Sequence, residues 1–270
     1  MYKNSTKKLG QHFLHDESLL KEICTLGSIK AEDRILEIGA GEGTLTKNLL
    51  ESKAKVTTVE IDNRLIPKLK KLRTEWPNLE IIHGDATKLN FKKFTHPTKI
   101  ISNLPYQIGT KIIAETCNYP EIFNLMIVML QLEVANRIVA KAGGKEYGSL
   151  TLWVQHRFET KLLKIVPPEM FSPPPKVKSA IVSLISRKFP IVDLQHYEEQ
   201  YFKLIKTSFI HRRKTLANNL KNSNVSFIKN INIEKLLESS GISKNLRAET
   251  MTAKDFATLF EEIRKESDEL

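Results

Sequence analysis

A chain of 270 residues with 41% hydrophobic content suffices for one sizeable core plus a small appended domain, and its 42 Lys and Arg against 31 Asp and Glu leave a formal charge of +11 that favours a polyanionic partner. Two distant cysteines, Cys24 and Cys117, outside any His-rich setting suggest neither a disulfide framework nor a zinc site, and both are expected to be inert buried thiols. The most apolar stretch, 122–132, is broken by Asn124 and bounded by Glu121 and Glu133, too short for a membrane span, and the basic start "MYKNSTKK" lacks a secretory core, so a soluble cytoplasmic protein with no membrane partner is expected.

In chain order, β-rich runs alternate with helical patterns. Strands are predicted at 34–38, 55–61, 79–83, 98–102 and 124–130, separated by helices at 44–52, 64–74 and 108–117. That alternation predicts parallel βαβ units with helices on both faces. The later runs 161–166 and 180–186 flank "PPEMFSPPPKVKS", which leaves no room for a crossover helix, so they should pair antiparallel and end the sheet. Beyond about Arg187 only helical periods remain, at 197–209, 214–220, 233–238 and 253–265. The domains expected are therefore 1–187, an α/β catalytic domain, and 188–270, a small helical domain.

The first strand runs into Gly39, Gly41 and Gly43 and then a helix, a loop whose backbone can turn tightly and approach a ligand. The second strand carries Glu60 at its end, where a carboxylate can accept both hydroxyls of a ribose, and the third is followed by Asp85, available to a nucleobase amine. The loop reads G-x-G-x-G rather than the dinucleotide fingerprint G-x-G-x-x-G, which weakens an NAD-dependent dehydrogenase. One ribose, one adenine and a small charged tail describe S-adenosylmethionine.

The fourth strand ends at Asn103-Leu104-Pro105-Tyr106. An exocyclic adenine amine is a poor nucleophile, and acceptors at the Asn103 side-chain oxygen and the Leu104 carbonyl would hold its two hydrogens and aim its lone pair at a methyl donor. Pro105 would stiffen the corner and Tyr106 would stack on the base. The competing reading is that Asn103 merely caps the following helix.

These stretches, "LGQHFLHD", "EIGAGEGTLT", "VEID", "GDA", "NLPYQI", "FSPPPKVKSA", "HRRKTL" and "LRAE", resemble the small-subunit ribosomal RNA adenine dimethyltransferases, the KsgA/RsmA family, from about Lys8 to Phe260. The resemblance implies a Rossmann-like, class I S-adenosylmethionine-dependent methyltransferase with a seven-stranded, mostly parallel sheet whose last strand is antiparallel, plus a small all-α C-terminal domain. It implies dimethylation of two adjacent adenosines near the 3′ end of 16S rRNA, with the small ribosomal subunit as partner and a monomeric enzyme. By the same resemblance, cofactor contacts fall on His12, Leu14, Gly39, Glu60, Asp85 and Asn103, with Gly41 in the same loop, and the catalytic motif on Asn103, Leu104, Pro105 and Tyr106. Phe171 resembles a second aromatic wall of the base pocket; a core Phe before a proline turn is an equal reading. His12 stands where many relatives have Asn, and it alone of the two changes charge near neutral pH.

Basic runs at His211-Arg212-Arg213-Lys214 and at Lys3, Lys7 and Lys8 suit phosphates, and the resemblance assigns RNA contact to Arg212, Arg213 and Lys214. Two alternatives stand beside this reading: a large-subunit rRNA adenine methyltransferase of the antibiotic-resistance type, and a largely non-catalytic ribosome assembly factor using the basic tail.

Overall fold

The computed structural model describes residues 11–94, 97–194 and 196–267. The chain divides into two compact units, one running to Asn136 and resuming over Phe158–Arg187, the other comprising Arg137–Arg157 and the chain from Lys188. In the first unit the order is β1 (Phe13–Leu14), α1 (Glu17–Leu26), β2 (Arg34–Ile38), α2 (Thr44–Leu50), β3 (Lys55–Glu60), α3 (Ile66–Glu75), β4 (Leu79–His83), β5 (Thr98–Asn103), α4 (Gly109–Thr116) and β6 (Phe123–Gln131). The division falls within α5 (Leu132–Val139); α6 (Ser149–Arg157) belongs to the second unit, and the first resumes with β7 (Phe158–Val166), β8 (Phe171–Ser172) and β9 (Ser179–Ser186).

Seven strands form one sheet in the order β4-β3-β2-β5-β6-β9-β7. β9 is antiparallel to both of its neighbours, inserted between β6 and the edge strand β7. Residues of the central strands are buried in unbroken runs, Ile100 with Ile101 and Met126 through Leu130, as a sheet covered on both faces requires. A separate two-stranded sheet pairs β1 with β8, Leu14 opposite Phe171, and was not foreseen from the sequence.

The strand order reverses between β2 and β5, and there the sheet opens. The ladder between them pairs Ile35 with Lys99 and Leu36 with Ile100. One step further on, the buried Ser102 hydroxyl donates to the Ile38 carbonyl at 2.7 Å and accepts from the Ile38 N–H at 3.3 Å. A side-chain hydroxyl thus satisfies both backbone groups while the strand ends diverge, leaving the crevice in which α/β proteins hold ligands.

The second unit is helical: α6, α7 (Glu198–Ser208), α8 (Leu216–Lys221), α9 (Ile233–Ser239) and α10 (Ala253–Glu266). It includes Arg137–Arg157, whereas the sequence placed that stretch with the catalytic domain. The physical reason is packing: Leu152 is buried in this unit's core, and Trp153 meets Phe202 edge-on with ring centroids 4.3 Å apart. Two buried tyrosines tie the helices together, Tyr147 donating to the Met251 carbonyl at 2.9 Å and Tyr201 to that of Ala253 at 2.7 Å. No helix among the described residues is long and apolar enough to cross a membrane.

Candidate active site

After β2 the backbone turns through Gly39, Gly41 and Gly43 with φ of +80°, +59° and +86°, the left-handed region that glycine enters without strain. A Cβ on Gly39 would lie 2.7 Å from Pro105 Cγ, so the loop rests against the corner only because Gly39 has no side chain. Glu60 fastens this loop from the end of β3. Its Oε2 accepts from the Gly41 N–H at 2.8 Å, and its Oε1 accepts from the N–H groups of Ile61 and Asp62 at 2.9 and 2.8 Å. A carboxylate has about four acceptor positions. With three used by backbone, Glu60 keeps one at Oε2, fewer than two ribose hydroxyls would need.

Asp85 keeps more. Thr87 donates to its Oδ1 twice, from N–H at 2.9 Å and from Oγ1 at 2.8 Å, which holds the carboxyl below its usual range. Among the described residues Oδ2 receives no hydrogen bond, so it is open to a donor.

A third carboxyl was missed in the sequence. Glu37, buried in β2, accepts at Oε2 from the hydroxyls of Thr46 (2.6 Å) and Thr58 (3.1 Å). Burial pushes its carboxyl up to about 7 against the pull of those hydrogen bonds. Its side chain lies inside an apolar strand, where the sequence pattern reads only β-structure.

Glu37, Glu60 and Asp85 line one cavity of about 270 Å³, together with the glycine loop, Gln11 through Leu14, Asn103 through Ile108, and Phe171. Among the described residues that line it there is no Lys or Arg. Three carboxyls and no cation are a poor receptacle for a pyrophosphate and a good one for a cationic ligand bearing hydroxyl and amine donors.

At the corner, Leu104 N–H donates to the Met129 carbonyl at 3.1 Å, which fixes the backbone to the neighbouring strand. Helix α4 begins at Gly109 with Ile108 as its N-cap and no side-chain cap, so the reading of Asn103 as a helix cap is wrong. The N–H groups of Ile108 and Gly109 instead bond the Pro105 carbonyl at 3.1 and 3.0 Å. Tyr106 OH shares a 2.6 Å hydrogen bond with Ser179 Oγ at the start of β9, which anchors the ring; partial burial raises its phenol pKa. Ser179 carried no signal in the sequence, because it stands 73 residues from its partner.

The small β1–β8 sheet supplies the remaining wall. His12 Nδ1–H donates to the Pro173 carbonyl at 2.7 Å, which fixes its tautomer, and its ring lies 5.7 Å from that of Tyr106, centroid to centroid. Leu14 is buried, with its carbonyl accepting from Thr44 Oγ1 at 3.2 Å. Phe171 is 4% exposed within the hydrophobic core, as its core reading requires, and it also borders the cavity.

In the second unit Arg212, Arg213 and Lys214 are all exposed, and Arg212 is in addition hydrogen-bonded to main-chain carbonyls. Lys3, Lys7 and Lys8 lie outside the described residues.

A mostly parallel seven-stranded sheet with β9 reversed, opening beside a glycine loop and acidic strand ends, defines an α/β methyltransferase fold. A model of the family "Ribosomal RNA adenine dimethylase" matches residues 2–265, and the chain belongs to that family. It is 38% identical over 261 residues to "Ribosomal RNA small subunit methyltransferase A" of Clostridium acetobutylicum, covering 96% of this chain and 93% of that protein. It is 39% identical over 265 residues to the protein of the same name from Lactococcus lactis, covering 95% and 89%. Among solved structures, a dimethyladenosine transferase from Plasmodium falciparum superposes with a TM-score of 0.81 at 30% identity, over 94% of this chain and 98% of that one. The 23S rRNA methyltransferase ErmE superposes with a TM-score of 0.70 at 25% identity, over 93% and 99%.

Proposed function

We propose that the protein dimethylates the N6 amines of two adjacent adenosines near the 3′ end of small-subunit (16S) rRNA, with S-adenosylmethionine as methyl donor, during small-subunit biogenesis. The observation that carries the cofactor reading is the cavity lined by Glu37, Glu60 and Asp85 without a Lys or Arg among its described lining. When bound, S-adenosylmethionine supplies an electrophilic methyl group. Glu60 Oε2 would take a ribose hydroxyl and Asp85 Oδ2 the amine of the cofactor's adenine, while His12, Leu14, Gly39, Gly41 and Asn103 would complete its cradle.

At the corner, the Asn103 side-chain oxygen and the Leu104 carbonyl would hold the two hydrogens of the target amine. Its nitrogen lone pair is then freed from the ring and oriented for attack. Tyr106, anchored by Ser179, would stack on the target base, and Phe171 would close the apolar wall beside it. No strong general base is required, since the methylated amine is acidic enough to lose its proton to solvent. In the second unit Arg213 and Lys214 would meet RNA phosphates.

The small-subunit reading is favoured over the large-subunit one by 38% identity to the small-subunit methyltransferase of Clostridium acetobutylicum, against 25% to ErmE. The test is transfer of labelled methyl to purified under-methylated small subunits, mature small subunits and large subunits in parallel. Label in the under-methylated small subunits alone is expected. Label in large subunits alone would overturn the substrate assignment, and binding of subunits without any transfer would favour an assembly factor.

A further inference from the structure

The basic run of the second unit does not present three equivalent cations. Both hydrogens of Arg212 Nη2 are committed: it donates to the Lys145 carbonyl at 2.5 Å and to the Tyr147 carbonyl at 2.9 Å, and it lies 3.5 Å from Glu249 Oε2. These partners come from two further stretches of chain, and those stretches are joined to each other by the Gly143 N–H, which donates to the Glu249 carbonyl at 2.7 Å. From below, buried Asn219 clamps the turn that carries Arg212. Its Nδ2 donates to the carbonyls of Ser208 (2.8 Å) and His211 (3.2 Å), and its Oδ1 accepts from the His211 N–H at 3.2 Å. Arg212 is therefore the fastening that brings the 141–147 loop beside the 211–214 turn. On the rim so assembled, Lys141, Lys145, Arg213 and Lys214 are exposed, and none of the four forms an ion pair among the described residues.

We propose that the RNA-contacting surface of this unit is composite, that Lys145 on the 141–147 loop is a phosphate contact beside Arg213 and Lys214, and that Arg212 is a positioning residue rather than a phosphate ligand. This rests on the rRNA reading above. Like charges held together on one rim repel one another, and a polyanion relieves that repulsion while releasing its own counterions. The planar guanidinium suits Arg212 to its task, since it directs two N–H groups in a fixed plane at two carbonyls; a Lys ammonium in its place keeps the charge and loses the fork. Glu249, whose carboxylate faces this rim, is neutralised by the same guanidinium, so that the rim stays positive.

The test is the slope of log affinity against log salt for under-methylated small subunits, measured for wild type, Lys145→Ala, Arg213→Ala and Arg212→Lys. Removing one cation that meets a phosphate lowers the slope by about 0.7–0.9. Lys145→Ala keeps the main-chain carbonyl that Arg212 uses, and it should lower the slope by about that amount, as should Arg213→Ala. Arg212→Lys preserves the charge but should lower the slope by more than one such cation is worth, with cofactor affinity unchanged. A wild-type slope for Arg212→Lys would show that its charge alone matters and would overturn the positioning role. A wild-type slope for Lys145→Ala would remove the 141–147 loop from the surface. Absence of any subunit binding by wild type would overturn the rRNA reading together with this one, so the two failures are distinguishable.

Discussion

Replacing Glu37 by Gln should raise the stability of the catalytic unit at alkaline pH and leave it nearly unchanged in acid. In the fold this carboxyl is pushed from 4.5 to about 7 by burial in β2. As pH rises past 4.5 the unfolded chain gives up its proton while the folded chain keeps it, so the unfolded state binds fewer protons and stability falls. The favourable contribution is complete below about 4.5 and is lost as pH passes through about 7. At roughly 1.4 kcal/mol per pKa unit, the span from 4.5 to about 7 corresponds to roughly 3 kcal/mol. Gln keeps an oxygen for the Thr46 and Thr58 hydroxyls and cannot ionise. Urea midpoints of wild type and Glu37→Gln from about pH 4 to 8.5 would measure the difference directly, because other titrating groups cancel between the two proteins. The two curves should separate progressively between about pH 4.5 and 7, with the variant the more stable. Curves that run parallel across that range would refute the assignment of a protonated buried carboxyl beneath the glycine loop.

Gly39→Ala places a Cβ 2.7 Å from Pro105 Cγ at a φ of +80°, so it should displace the corner and cut single-turnover methyl transfer by about 100-fold while the circular dichroism spectrum is retained. Ser179→Ala removes the 2.6 Å partner of the Tyr106 hydroxyl and should cost about 1 kcal/mol in urea stability, with transfer about fivefold slower as the ring loses its anchor.

The strands of the large sheet were legible as short β-rich runs between helical patterns, and 34–38 and 79–83 coincide with β2 and β4. Other features left weaker traces or none. Helix α1 has a readable start, Asp16 accepting from the Leu19 N–H at 2.7 Å with Leu19, Leu20 and Ile23 buried behind it, but it precedes the first strand of the βα alternation from which the other helices of this unit are read. Helix α6 has buried residues at Leu150, Thr151, Leu152, Val154 and His156, all round its surface, and so shows no apolar stripe for a periodicity argument to find. The β1–β8 pair joins two-residue strands far apart in sequence, which no local pattern encodes. The site divides in the same way. Gly39, Glu60, Asp85 and Asn103 sit where strands end, positions that topology alone marks, and all four line the cavity. Glu37 and Ser179 become visible only when their distant partners are in place. Arg212 and Arg213 are indistinguishable in sequence, and it is the carbonyls of Lys145 and Tyr147 that separate their roles.

The most direct test of the proposed activity is the identity of the product. Under-methylated small subunits are incubated with S-adenosylmethionine and either wild type or Asn103→Ala, and the rRNA is digested and its nucleosides weighed by mass spectrometry. N6,N6-dimethyladenosine is expected with wild type and should disappear with Asn103→Ala, while that variant still binds the subunit. Methylation at another atom or another nucleoside, or undiminished dimethyladenosine from Asn103→Ala, would contradict the central claim that the Asn103-Leu104-Pro105-Tyr106 corner holds an adenine amine for methyl transfer.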